Sequence, residues 1–211
     1  MLRDIDLVVW DFDGVFNANY DADGYKWNRM METELDIDAK TLRAGLFRPE
    51  FRTIMSGHID IRDALADVLP KAGYQHGPDA FMEFWFTRDY YHNDGMDELL
   101  ADVRAQGKTC VIGTNNEPRR ASYIANEWGY ADKVDQIYTS GLMGVAKPDH
   151  AFYDHIMKDQ GVDNHARVLF IDDHPENIEA ADEFGWKTYL FGHLKKKEVG
   201  SANDLRKALG L

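Results

Sequence analysis

Leu7-Val8-Val9-Trp10-Asp11-Phe12-Asp13-Gly14 is the stretch that decides the fold. Four apolar residues in a row show no alternation, which is how a strand buried on both faces of a parallel sheet reads. The run then delivers two carboxylates and a glycine. In open α/β sheets ligands gather beyond the carboxyl ends of such strands, so Asp11 and Asp13 become candidates for a reaction centre. Spacing alone does not single them out, because Asp4/Asp6, Asp21/Asp23 and Asp36/Asp38 repeat the pattern. What separates Asp11/Asp13 is the hydrophobic run in front of them. A solvated turn or a helix cap is the ordinary use of an Asp after a strand.

Outward from this segment, strand and helix patterns alternate from about residue 92 onward, as they do in a parallel sheet with crossover helices. Met96, Leu99, Leu100 and Val103 mark one helix face, which Gly107 stops. Strands are expected at 109–113, 136–139, 168–171 and 187–190. Helices are expected to open near Pro118, at Pro148 and near Pro175. With residues 7–10 this makes an α/β fold, a Rossmann-like three-layer core around a five-stranded parallel sheet. The interval 17–91 breaks the alternation. It shows no convincing buried strand, but helical patterns at 39–46, at Ile61, Leu65, Val68 and Leu69, and around Phe81, Phe84 and Trp85. The expected organisation is a core of residues 1–16 and 92–211 with a helical insertion, 17–91, standing over the carboxyl edge of the sheet.

A chain of 211 residues can bury a full core, and a formal charge of −13 argues against nucleic acid or an anionic membrane surface as partner. The one cysteine, Cys110, lies in an apolar run, which excludes a disulfide framework and reads as a buried thiol. No stretch approaches membrane-spanning length and no leader is visible, so the expected location is the cytoplasm.

Three further segments end strands or open helices at the same edge. Ile112-Gly113-Thr114-Asn115-Asn116 brings a hydroxyl and two amides to a helix start, where backbone amides favour phosphate; Thr114 as an ordinary helix-start residue is the plain alternative. Lys147 stands immediately before Pro148. Phe170-Ile171-Asp172-Asp173 ends an apolar strand in two adjacent acids, which repel unless a cation joins them, so a divalent metal is the physical expectation.

In this order the motifs resemble the haloacid dehalogenase-like hydrolase superfamily, and the helical insertion is similar to that family's small cap of the C1 type. The resemblance implies Asp11 as nucleophile, forming an aspartyl-phosphate that water hydrolyses. It implies Asp13 as acid and then base, with a pKa above that of a free Asp. Mg²⁺ would be held by the Asp11 carboxylate, the Asp13 backbone carbonyl and Asp173, with Asp172 a second ligand or a supporting partner. Thr114 and Asn115 would hold phosphoryl oxygens, and Lys147 would neutralise the nucleophile and the transferring group. Members that cleave carbon–halogen bonds lack an acid two residues after the nucleophile; Asp13 occupies that position, so phosphoryl transfer is the expected chemistry.

The resulting expectation is a Mg²⁺-dependent phosphatase of small phosphorylated metabolites, with sugar phosphates favoured by the modest length of the cap. A phosphomutase would share the same motifs. A receiver-like phospho-acceptor is a reading of another class, disfavoured because its acidic pair follows its first strand. Tyr20, Trp27, Arg52, His58, Trp85 and Tyr90 could touch substrate, though cap packing explains the aromatics equally well.

Overall fold

The computed structural model describes residues 2–47 and 51–211. Strand β1 (Leu7–Trp10) is followed by a short antiparallel pair, β2 (Tyr20–Asp21) and β3 (Gly24–Tyr25), and by helices α1 (Lys26–Leu35), α2 (Ala39–Leu46), α3 (Phe51–Met55), α4 (Ile61–Val68) and α5 (Gly77–Arg88). Then come α6 (Met96–Ala105), β4 (Thr109–Thr114), α7 (Pro118–Ser122), β5 (Gln136–Thr139), α8 (Ser140–Met143) and α9 (His150–Gln160). The chain ends with β6 (Val168–Asp172), α10 (Pro175–Glu183), β7 (Lys187–Leu190), a second short pair, β8 (Gly192–His193) with β9 (Glu198–Val199), and α11 (Ala202–Leu209).

Five strands form one sheet in the order β5-β4-β1-β6-β7, every pairing parallel. The apolar run of β1 puts it in the centre, with Trp10 level with Ile112 on one side and Ile171 on the other. Successive side chains of a strand point to opposite faces. Val8, Trp10, Ile112 and Ile171 accordingly pack with Leu99, Val103 and Leu205 of α6 and α11, while Leu7, Val9, Val111 and Phe170 meet Phe152, Ile156 and Ala181 of α9 and α10. Two covered faces make the three layers expected from sequence.

Some boundaries differ. β4 and β6 each run one residue farther than expected, so Thr114 and Asp172 are the last residues of their strands. Pro148 does not open α9: Asp149 caps it, accepting from the Ala151 amide at 2.9 Å, and the helix begins at His150. A short acidic side chain is the better helix cap. The insertion contains the β2–β3 pair and helix α1, neither marked by sequence periodicity. Trp27 and Met31 are the buried residues of α1, too few to write a stripe among its polar neighbours.

Residues of α1–α5 bury a hydrophobic cluster of their own, including Trp27, Met31, Leu42, Leu65, Phe81 and Trp85. The segments leading into and out of this block run side by side, the Ala18 amide donating to the Tyr91 carbonyl at 2.7 Å. Two of the competing Asp-x-Asp pairs have local structural uses. Asp38 caps α2, and Asp21 accepts the Asp23 amide in the β2–β3 turn.

Candidate active site

The strand order that centres β1 brings Asp11 beside the end of β6. Asp11, Lys147, Asp172 and Asp173 are all buried, at 5%, 3%, 0% and 1% exposure. Lys147 Nζ stands 2.9 Å from Asp11 Oδ1 and 2.7 Å from Asp172 Oδ2. Ligand atoms of Asp11, Asp172, Asp173 and His174 lie within 4.8 Å of one another. The groups expected to converge do so.

The two adjacent acids have different surroundings. Asp172 accepts from Lys147, from both contacts of Asn177 Nδ2 at 3.1 and 3.0 Å, and from the His174 amide at 2.7 Å. Burial raises its carboxyl, but Lys147 and the His174 side chain outweigh this and hold it below the usual range. Asp173 meets His174 Nδ1 through Oδ1 at 2.8 Å, but its Oδ2 is buried with no hydrogen-bond partner among the described residues. The Tyr20 hydroxyl, which faces the same carboxylate, donates to the Glu198 carbonyl at 3.4 Å. A buried carboxylate oxygen left bare is costly unless something binds it.

Gly14 makes room for that oxygen. Its φ is +83°, and a Cβ there would lie 2.1 Å from Asp173 Oδ2. The glycine that follows Asp13 is therefore required both by the left-handed turn and by the close approach.

Three carboxylates thus face a single lysine. Burial raises Asp11, with Lys147 pulling the other way and Asp172 and Asp173 adding to the rise. The same imbalance holds a proton on His174, whose pKa reaches about 10: burial opposes this, and contacts with Asp172 and Asp173 prevail. A hard divalent cation, which takes oxygen ligands, fits this excess of negative charge and the unpaired Asp173 oxygen.

Asn115 has a further structural contact. Its amide donates to the Lys147 carbonyl and accepts from the Lys147 amide, both at 2.9 Å. That side chain aligns the lysine, and Asn115 also lines the cavity above it. Thr114 Oγ1 accepts from Asn116 Nδ2 at 2.8 Å and retains its own proton to donate.

Asp13 carries the largest correction. Its pKa is lowered, not raised: burial pushes it up, but Arg120, Asn116 and Asn17 outweigh that. Arg120 reaches both carboxylate oxygens, Nη2 to Oδ1 at 2.7 Å, and also lies 3.1 Å from Asp89 Oδ2. Asn17 and Asn19 donate to Oδ1 at 2.8 and 3.2 Å. Sequence reasoning passed over Arg120, Asn17, Asn19 and Asp89, and gave Asn116 no contact with Asp13. One signal was available: Arg120 lies in the first turn of α7, where the helix dipole disfavours a cation unless a carboxylate holds it there.

Above these groups lies a cavity of about 860 Å³, floored by Asp11, Asp13, Thr114 and Lys147. Of the cap residues considered from sequence, Trp27, Arg52 and Trp85 line it. Tyr90 instead stacks on Trp128 at 4.8 Å. Cys110 is buried, which lifts its thiol to about 12.

The sequence profile of haloacid dehalogenase-like hydrolases matches residues 5–185. The chain belongs to that family. Among relatives of this hydrolase, a sesquiterpene phosphatase of Aspergillus oryzae is 28% identical, over 96% of this chain and 95% of that protein. An N-acetylmuramic acid 6-phosphate phosphatase of Pseudomonas aeruginosa is 33% identical over 45% of this chain and 42% of its own length. A haloacid dehalogenase family enzyme of Bacteroides thetaiotaomicron, solved with magnesium and inorganic phosphate, superposes with a TM-score of 0.71 at 18% identity. That match covers 88% of this chain and 93% of the other, a likeness of fold. Among the described residues of the hydrolase, no helix is long and apolar enough to cross a membrane.

Proposed function

We propose that this hydrolase is a Mg²⁺-dependent phosphatase of small phosphorylated metabolites, working through an aspartyl-phosphate on Asp11. The observation that carries the reading is the convergence of Asp11, Lys147 and Asp173 at one strand edge, with Asp173 Oδ2 buried and unpaired among the described residues. Phosphatase relatives of related sequence support the same activity.

Asp11, Asp173 and the Asp13 backbone carbonyl are the groups that would hold the metal; Asp172, already surrounded by donors, would orient Lys147. Bound there, Mg²⁺ would offset the phosphate's charge and fix one of its oxygens. The Asp11 carboxylate forms a bond to phosphorus as the bond to the ester oxygen breaks. Asp13 gives that oxygen its proton, then takes one from the water that cleaves the acyl-phosphate. A phosphate dianion beside Asp13 raises its proton affinity and so opposes the pull of Arg120. Lys147 and the Thr114 hydroxyl stabilise charge on the transferring group.

The test is Asp11→Asn assayed with p-nitrophenyl phosphate and Mg²⁺. Activity should fall by roughly 10³-fold or more while circular dichroism stays native. Undiminished turnover would overturn the assignment.

A further inference from the structure

We infer that the alcohol portion of the substrate is apolar, a hydrocarbon-like group seated in the chamber between cap and sheet; this rests on the phosphatase reading above. The chamber is continuous with the reaction centre: the same 860 Å³ cavity that has Asp11 and Lys147 on its floor is walled by Trp27, Phe47, Phe51, Met55, Ile61 and Trp85. Its size lies in the usual range for small-molecule sites, roughly 300–1,000 Å³. The rings form a connected wall, with Trp27 5.5 Å from Phe47 and 5.4 Å from Trp85, and Phe47 4.5 Å from Phe51. Phe47 is 39% exposed, although it belongs to this wall. Aromatic surface left open beside a catalytic floor gains by being covered with an apolar ligand.

The polar inventory of the wall points the same way. Trp85 Nε1 is engaged with Asp89 Oδ2 at 3.2 Å. Asn19 Oδ1 and Asn28 Oδ1 are buried without a partner among the described residues, two acceptors for a sugar's several hydroxyls. Arg43 and Arg52 also line the chamber, but both are exposed to solvent. A sugar would bring a ring of hydroxyls to this largely aromatic wall, and more of them lose water than find a protein partner there. An alkyl or isoprenoid-like alcohol loses nothing of the kind. The chemical class is therefore a monophosphate ester of an apolar alcohol, rather than the sugar phosphate expected from the length of the cap.

The experiment is a series of n-alkyl phosphates from butyl to decyl, assayed with Mg²⁺ beside glucose 6-phosphate, with acetyl phosphate as a small reference donor. Burying each added methylene should raise kcat/KM by about fourfold until the chamber is filled, leaving glucose 6-phosphate far below the longer esters. Phe47→Asp, at a half-exposed position, should flatten the dependence on chain length. A flat series, or a sugar phosphate preferred over decyl phosphate, overturns the inference while hydrolysis of acetyl phosphate leaves the phosphatase reading standing. If nothing is hydrolysed, that reading fails, and calorimetry of decyl phosphonate against glucose 6-phosphate on the same protein still decides the chamber: tighter binding of the phosphonate supports it, equal or weaker binding ends it.

Discussion

Arg120 holds the Asp13 carboxylate by both oxygens, and its Nη2 also rests 3.1 Å from Asp89 Oδ2. The pairing joins the strand edge that carries the reaction centre to the segment that leaves the cap. Asp13 lies just past β1, Arg120 at the start of α7, and Asp89 just past the end of α5. The orientation of the Asp13 carboxylate is thereby tied to the segment that follows α5.

Arg120→Lys keeps the charge but loses the planar fork that engages both oxygens. If the fork positions Asp13, kcat should fall by about 10²-fold for an alkyl phosphate, whose leaving oxygen needs a proton. The loss should be much smaller for p-nitrophenyl phosphate, whose leaving group departs without one. Equal losses on both esters would show a merely structural residue. Arg120→Ala should instead destabilise the fold by ~3–5 kcal/mol, because half-buried Asp13 and buried Asp89 lose their common counter-charge; urea titration measures it.

What the sequence made legible follows from range. The continuous apolar runs of β1, β4 and β6 mark buried parallel strands, and residues at their carboxyl ends must share an edge. Asp11, Thr114, Asp172 and Asp173 could therefore be placed together without coordinates. Arg120 pairs with an acid 107 positions away, and nothing local marks that partnership except its uneasy place at a helix start. The bonds from the Asn115 side chain to the Lys147 backbone were not legible, since they join segments 32 positions apart. The lining of the chamber was hidden for a different reason. Aromatics that pack a cap and aromatics that face a ligand look identical in sequence, and Trp27 does both.

Asp89 should write a pH dependence into the stability. Burial pushes its carboxyl up to about 7, the approach of Asp13 adds to this, and Arg120 opposes it. Between an unfolded pKa of about 3.9 and about 7, the folded state holds a proton that the unfolded state releases, so stability falls as pH rises across that window and levels off above it. Asp89→Asn carries no such proton. Relative to wild type, the variant should gain stability between pH 4 and pH 7, by an amount on the order of 4 kcal/mol at most. Urea midpoints of both proteins at several pH values check the sign; a difference that does not grow with pH would sink it.

The last prediction separates the two adjacent acids. Asp173 Oδ2 is bare and buried, whereas both oxygens of Asp172 are hydrogen-bonded to protein donors. A ligand that binds only the folded state raises its stability by mass action, ~2.7 kcal/mol at a hundred times the dissociation constant. EDTA should therefore abolish turnover and lower the Tm, and Mg²⁺ should restore both. Asp173→Asn should remove the Mg²⁺-dependent rise in Tm while costing little stability without metal, since no protein donor is lost from Oδ2. Asp172→Asn should do the reverse, lowering the Tm in EDTA because buried Lys147 loses one of its two carboxylates. Thermal melts of the two variants, with and without Mg²⁺, show which carboxylate meets the metal and which holds the lysine.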